Sequence, residues 1–174
     1  MKLYRYVGPN DLRELVSSEN CGTPIQRRED ILNWLKSNRS KIPYYDDVMT
    51  TFIINTDGLL CLADRHSEHL VCAFGGAVLS AGEMRFLMTG DQVEVIEVTN
   101  QSTGYCPEPE SWPTVAQALD QLGLSHPNGF SHEFVFRRCL NCQAINIIKE
   151  KWFFCAICTS PLSQFWNLDE ITLV

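Results

Sequence analysis

An α+β fold is predicted: a mainly antiparallel β-domain with two flanking helices over residues 1–130, joined to a small four-cysteine unit over 131–174. Three observations carry this. Two stretches, "MTTFIIN-TDG-LLCLAD" and "AVLSAGEMRFLM-TGD-QVEVIEVTN", place apolar runs on either side of a Gly-containing turn, which is a hairpin signature. Two other stretches space their apolar residues for a helix. Four of the eight cysteines fall into two Cys-x-x-Cys pairs near the C-terminus.

The elements follow in order. "LYRYVG" reads as a short strand, and Asn10 or Asp11 starts a short helix after it. "QRREDILNWLKSNR" puts Ile31, Trp34 and Leu35 at i, i+3 and i+4, with acids early and bases late, as the helix dipole prefers; a helix is expected over about 27–38. The first hairpin follows from Met49. In the return strand of the second, Val93, Val95 and Val98 are expected to pack while Glu94 and Glu97 face solvent. Strict alternation slips between them, so a bulge is expected near Ile96. "SWPTVAQALDQLG" gives the second helix, with Ser111 as its cap, Pro113 in its first turn and Gly123 just past its end. In the tail "PLSQFWNLDEITLV", Phe165 and Trp166 are expected to pack back onto the rest.

A 174-residue chain with 45% hydrophobic and 20% charged residues suits a globular domain and excludes wholesale disorder. No apolar run approaches the roughly 18–20 residues that span a bilayer, and the first residues lack the apolar core of a secretory signal. A cytoplasmic location is the default, and thiols there stay reduced. The net charge of −7 disfavours generic nucleic-acid binding, which depends on cationic neutralisation of phosphates.

Cys139-x₂-Cys142, twelve residues, then Cys155-x₂-Cys158 is the spacing of a zinc ribbon, and residues 134–160 resemble one. Each Cys-x-x-Cys turn aims two sulfurs at one point. Four thiolates around Zn²⁺ close a tetrahedron and leave no position for water, so the metal is expected to be structural. "QAINIIKEKWFFC" supplies a two-stranded return in which 145–148 and 152–154 flank the polar "KEK" turn. Disulfides would need an oxidising compartment, and a thioredoxin-type pair needs a strand-to-helix junction. An iron–sulfur cluster uses the same four ligands.

Residues of chemical interest gather in "RHSEHLVCAFGGAVLSAGEMRF" and "VTNQSTGYCPEPESW". His66 suits a general base, Glu83 an acid or ribose-binding group, and Tyr105 a donor, with Ser67, Ser80, Asn100 and Ser102 as ligand-binding candidates. His66, His69 and Cys72 are also considered as a second metal set. The plainer reading assigns the polar residues to turns and bulges, and Cys61, Cys72 and Cys106 to apolar packing. Through His66 and Ser67, Gly75 and Gly76, Ala81, Gly82 and Glu83, then Ser102, Gly104, Tyr105 and Pro107, the stretch over about 65–122 resembles a module of plant calmodulin-binding IQ-motif-containing proteins and related bacterial proteins. The resemblance implies a shared β-rich fold and a possible site, not a reaction. "STGYCP" stands where that module has Ser-Gly-His-Tyr, and no IQ-like basic helix is present, so calmodulin binding does not carry over.

Three functions are compatible with these residues. The first is a binding or accessory protein of adaptor or immunity type that holds a protein partner through the ribbon and the "TNQSTGYCPEPE" surface. The second is an enzyme acting on a nucleotide-like substrate, NAD or ADP-ribose in type, around His66, Glu83 and Tyr105. The third is a nucleic-acid-binding ribbon using Arg137, Arg138, Lys149 and Lys151 with Trp152, Phe153 and Phe154.

Overall fold

The computed structural model describes residues 2–38 and 47–168. Among the described residues seven strands and three α-helices follow one another: β1 (Thr23–Ile25), α1 (Arg28–Asn38), β2 (Asp47–Ile54), β3 (Leu60–Asp64), α2 (His69–Cys72), β4 (Ser80–Thr89), β5 (Gln92–Val98), α3 (Trp112–Gln121), β6 (Val135–Arg138) and β7 (Ile145–Ile148). The first five strands form one antiparallel sheet in the order β1-β3-β2-β4-β5, and β6 and β7 form a separate pair. The architecture is α+β, as the hairpin and helix patterns predict. None of the helices among the described residues is long and apolar enough to cross a membrane.

Both predicted hairpins are present. Between β2 and β3, the Asn55 side chain accepts from the N–H groups of Asp57 and Leu59 at 3.0 and 2.9 Å, and Gly58 takes a φ of 79°. The pairing of β4 with β5 shifts between Arg85 and Phe86, because Glu97 faces Arg85 and Val95 faces Phe86, leaving Ile96 as the bulge. That single extra residue keeps Val93, Val95 and Val98 on the same side of the sheet.

One face of the sheet is apolar and buried. Phe52 and Ile54 of β2, Leu60 and Leu62 of β3, and Met84, Phe86 and Met88 of β4 pack with Ile31 and Leu35 of α1 and Val115, Ala118 and Leu119 of α3. These are the two flanking helices. Ser111 does not cap α3 through its side chain. Its hydroxyl lies 2.9 Å from that of Ser80, where two buried groups satisfy each other between β4 and the helix start.

The second face is covered at one end only. There Ile53, Cys61, Ala63 and Ala81 meet Tyr4, Cys72, Val78 and Tyr105. The predicted first strand reduces to a bridge, in which Tyr4 and Val78 exchange backbone hydrogen bonds of 2.8 and 3.0 Å. The short helix after it is a 3₁₀ turn over Asn10–Leu15. α2 lies across the sheet, and the His69 Nε2–H donates to the Gly82 carbonyl at 2.9 Å. β4 and β5 run so close here that a Cβ at Gly82 would overlap the Thr99 carbonyl oxygen. At the other end the face is polar, with Arg85 paired to Asp47 at 2.6 Å and to Glu97 at 3.0 Å.

Two stability measurements test this packing. Gly82→Ala should cost about 1–3 kcal/mol in urea unfolding, because the added methyl meets backbone that cannot give way. Burial holds His69 below its usual imidazole range even though the Gly82 carbonyl favours the charged ring. As pH falls below the ordinary value of 6.5, the unfolded chain therefore takes up a proton that the folded one refuses, and stability declines. His69→Gln retains an N–H for Gly82 without the titration. Its urea midpoint should vary less than the wild type's between pH 7.5 and 5.5.

Candidate metal centre

Local backbone geometry builds the cysteine site from two copies of one turn. In the first, the Cys139 N–H donates to the Ala144 carbonyl and the Gln143 N–H to the Cys139 carbonyl, both at 2.9 Å. In the second, the Cys155 N–H donates to the Ser160 carbonyl at 2.8 Å and the Thr159 N–H to the Cys155 carbonyl at 2.9 Å. Gln143 and Thr159, the residues after each second cysteine, both adopt a left-handed φ, 63° and 60°. The result brings the four Sγ atoms of Cys139, Cys142, Cys155 and Cys158 within 4.8 Å of one another. Cys139 to Cys158 and Cys142 to Cys155 are each 3.5 Å.

These separations suit a metal cage. A tetrahedron of bonds about 2.3 Å long places its sulfurs about 3.8 Å apart, whereas a disulfide needs about 2.05 Å. All eight cysteines are free thiols. Cys139 and Cys155 are buried. Hydrogen-bond donors surround the sulfurs, as they do around thiolate ligands. The Ile157 N–H and the Asn146 amide reach Cys155 Sγ at 3.4 and 3.5 Å, the Asn141 amide reaches Cys158 Sγ at 3.5 Å, and the Ser160 hydroxyl lies 3.4 Å from Cys158 Sγ. The Ser160 hydroxyl, then the Asn141 amide, hold the Cys158 thiol down at about 5. The N–H of Cys158 lowers Cys155. Cys142 goes the other way, to about 12. The Ala144 N–H favours its thiolate, but desolvation and then the hydrogen bonds with Cys155, Cys158 and Cys139 push it up.

Asn146 is the residue that spacing arguments miss. Its amide also donates to the Ala144 carbonyl at 3.0 Å, and its oxygen accepts the Ala156 N–H at 2.9 Å, so one side chain joins both cysteine turns. The available signal was a lone amide inside the apolar run "INII". The predicted return also takes a different form. β7 pairs with β6 across the first cysteine turn, and 152–154 does not pair with 145–148. Instead Phe154 bridges Pro161. The "KEK" stretch is a turn, with Glu150 and Lys151 both at positive φ.

Polar ties fasten this unit to the sheet. The Asn100 amide donates to the carbonyls of Pro107 and Phe134 at 2.7 Å each, and its oxygen accepts the Phe134 N–H at 2.7 Å. Arg137 is buried. It donates to the Phe136 and Gln164 carbonyls at 2.7 and 2.9 Å and faces Glu108 at 3.5 Å, and Glu108 also holds Lys2 at 3.0 Å. Trp166 packs edge-on against Tyr4 and donates from its indole to the Cys106 carbonyl at 2.9 Å, with the Lys2 ammonium 3.4 Å over its ring. Phe165, expected to pack with it, is 82% exposed. Residues 169–174 of the tail lie outside the described residues.

The candidates of the central stretch occupy three different surroundings. His66 is exposed on the turn after β3, where its N–H is held by the Asp64 carboxylate at 2.9 Å; it lines a polar 460 Å³ cavity with Asp47, Asp64, Arg65 and Arg85. Glu83 is half-buried in mid-strand on β4. Tyr105 is fully buried, donates to the Gly76 carbonyl at 2.6 Å, and is pushed above the usual phenol range by burial. Ser67 accepts the Thr51 hydroxyl at its carbonyl, Ser80 pairs with Ser111, and Asn100 is the tie described above. Ser102 is buried with its hydroxyl unpartnered among the described residues. His69 and Cys72 are not a second metal set, since His69 bonds Gly82 and Cys72 faces the Cys61 carbonyl. Among the described residues the four cysteines are the group of metal-ligand type whose donor atoms converge.

Between this unit and the body of the protein runs a cleft of about 550 Å³. Phe136, Arg138, Ile145 and Ile147 form one wall, and Tyr6, Val7, Leu12, Glu68 and the turn at Thr103 and Gly104 form the other. Comparison with protein-family models, with curated proteins and with solved structures returned no match. The fold and the site define an α+β protein with a five-stranded antiparallel sheet and a C-terminal four-cysteine centre fit to hold a metal.

Removing one ligand tests that centre. Cys155→Ser should lower the bound metal, measured by elemental analysis, well below one per chain. Amides of β6 and β7 should lose hydrogen-exchange protection while those of β2 and β4 keep theirs.

Proposed function

We propose that this is a zinc-ribbon protein of binding or accessory type, adaptor or immunity-like, that holds a protein partner on its ribbon. Zinc is favoured by four soft sulfur donors in a closed shell with hydrogen bonds to the sulfurs, a site with no open position for catalysis. Free thiols throughout the chain agree with a reducing compartment, and we infer a cytoplasmic location.

The observation that carries the binding role is where the apolar surface lies. Among the described residues, six large exposed apolar side chains, Leu140, Ile147, Trp152, Phe154, Ile157 and Phe165, belong to the ribbon and its tail, against four, Leu3, Leu15, Phe74 and Ile96, on the much longer rest of the chain. Ile157 is 74% and Trp152 68% exposed. Leu140 and Ile157 sit inside the two cysteine turns, while the Trp152 and Phe154 rings meet at a tilt of 40° with centroids 4.8 Å apart. A small unit that presents this much apolar surface fits a docking face. A protein is the partner class favoured over nucleic acid. Leu140, Ile147 and Ile157 are aliphatic and offer no stacking face to a base, Arg137 is turned inward to Glu108, and the chain is acidic overall. The enzyme reading has less support, because His66, Glu83 and Tyr105 do not converge.

Leu140→Asp with Ile157→Asp should leave metal content and far-UV circular dichroism unchanged and abolish recovery of a partner that crosslinks to the wild-type ribbon in cell extract. Equal recovery by the double variant would overturn the docking role. Elemental analysis that returns iron, with charge-transfer absorbance, would overturn zinc.

A further inference from the structure

The cleft beside the ribbon adjoins a second cavity that is richer in arginine. This one, about 360 Å³, is lined by Arg5, Tyr6, Val7, Arg13, Gly75, Gly76, Ala77 and Leu168. Tyr6 and Val7 line both cavities, so the two adjoin along the N-terminal segment and together form a groove-like surface. Its ribbon end is walled by Leu12, Phe136, Ile145 and Ile147. Its other end carries two guanidinium groups and, among the described residues, no acid in its lining.

The charges facing the groove are uneven. Arg5 and Arg13 are both exposed, and neither forms an ion pair among the described residues; the Arg13 guanidinium lies 5.1 Å over the Tyr6 ring. Arg138 lines the ribbon end and donates to the Gln143 carbonyl at 3.2 Å. Against these stand Glu68 in the lining and Asp11 near Tyr6. In a chain with 21 acidic and 14 basic residues, a lining with three arginines and, among the described residues, a single acid favours an anionic occupant.

We propose that this groove binds an extended peptide segment of the partner, with apolar side chains over Ile145 and Ile147 and carboxylate side chains at Arg5 and Arg13. The inference rests on the proposed binding role and names the chemistry of what is bound. Guanidinium forks pair with carboxylates in a planar, two-point geometry that lysine-rich or neutral segments cannot return. The apolar wall supplies burial, and the arginines supply orientation and sign.

Fluorescence anisotropy with the metal-loaded full chain tests this. Three labelled probes serve: a peptide alternating leucine and glutamate, the same peptide with lysine for glutamate, and a ten-nucleotide thymidine strand. The glutamate peptide should bind, with affinity that falls as salt rises, and the lysine peptide should not. Arg5→Glu with Arg13→Glu should weaken binding at least tenfold while leaving metal content and circular dichroism unchanged, and Ile145→Asp should weaken it independently. Equal binding of the two peptides, no effect of the double arginine variant, or preference for the nucleotide strand would each overturn the proposal. The two readings separate cleanly. A crosslinked partner lost with Leu140→Asp/Ile157→Asp but retained with Arg5→Glu/Arg13→Glu sinks the groove and leaves ribbon docking standing. A partner retained by both variants sinks the ribbon role, while glutamate-peptide binding that depends on Arg5 and Arg13 would still stand on its own.

Discussion

Four sulfurs gathered within 4.8 Å make the constraint around which the last part of the chain is organised. Thiolates at this spacing repel one another, and thiols there have too few acceptors, so the arrangement suits a cation at its centre. Everything local is shaped to meet that requirement. Two turns of the same hydrogen-bonding pattern deliver the sulfurs, two residues accept left-handed backbone angles, and Asn146 joins the turns. The apolar cluster that remains for this unit is small, with Leu162 buried between Cys139 and Cys155 and Ile148 and Phe153 half-covered. A unit with so little core gains its shape from a cross-link, and its four convergent free thiols are a set fit to hold a metal. The same economy explains its surface. Side chains in the cysteine turns have no interior to enter, so Leu140 and Ile157 face outward.

The four-cysteine unit is held to the sheet by an apolar contact and a set of polar bonds. A small apolar contact exists, in which Cys106, Phe136 and Leu168 are buried together. Around it lie the three hydrogen bonds of Asn100, the Trp166 indole and the Lys2–Glu108–Arg137 chain of charges. Directional bonds of this kind fix an angle more than they supply raw stability, because much of their strength is offset by lost hydration. Fixing that angle leaves the groove open between the ribbon and the N-terminal segment.

The density of polar residues between His66 and Tyr105 has a related origin. Here the chain leaves β3, makes a short helix, crosses the second face of the sheet and returns as β4. Each change of direction exposes backbone groups that burial would otherwise leave unsatisfied. Thr51 bonds the carbonyls of Arg65 and Ser67, His69 bonds Gly82, and Tyr105 bonds Gly76. In sequence these residues look like a reactive set; in three dimensions most of them close the hydrogen bonds of an irregular layer.

Local pattern was enough for the two hairpins, the two longer helices and the convergence of the four cysteines, but it announced neither β1 nor α2 and misplaced the return after β7. Hairpin turns, helix spacing and the bulge at Ile96 depend on neighbours within a few residues, and a Cys-x-x-Cys turn imposes its own geometry wherever it occurs. Long-range choices were not legible in the same way. Nothing near Arg137 in the chain says that it turns inward to Glu108, nothing near Ser111 says that it prefers Ser80 to capping its own helix, and nothing near Phe165 says that it stays outside while Trp166 is covered. The fate of each is decided by a partner far away in sequence, which only the packing of the sheet, its helices and the ribbon brings within reach.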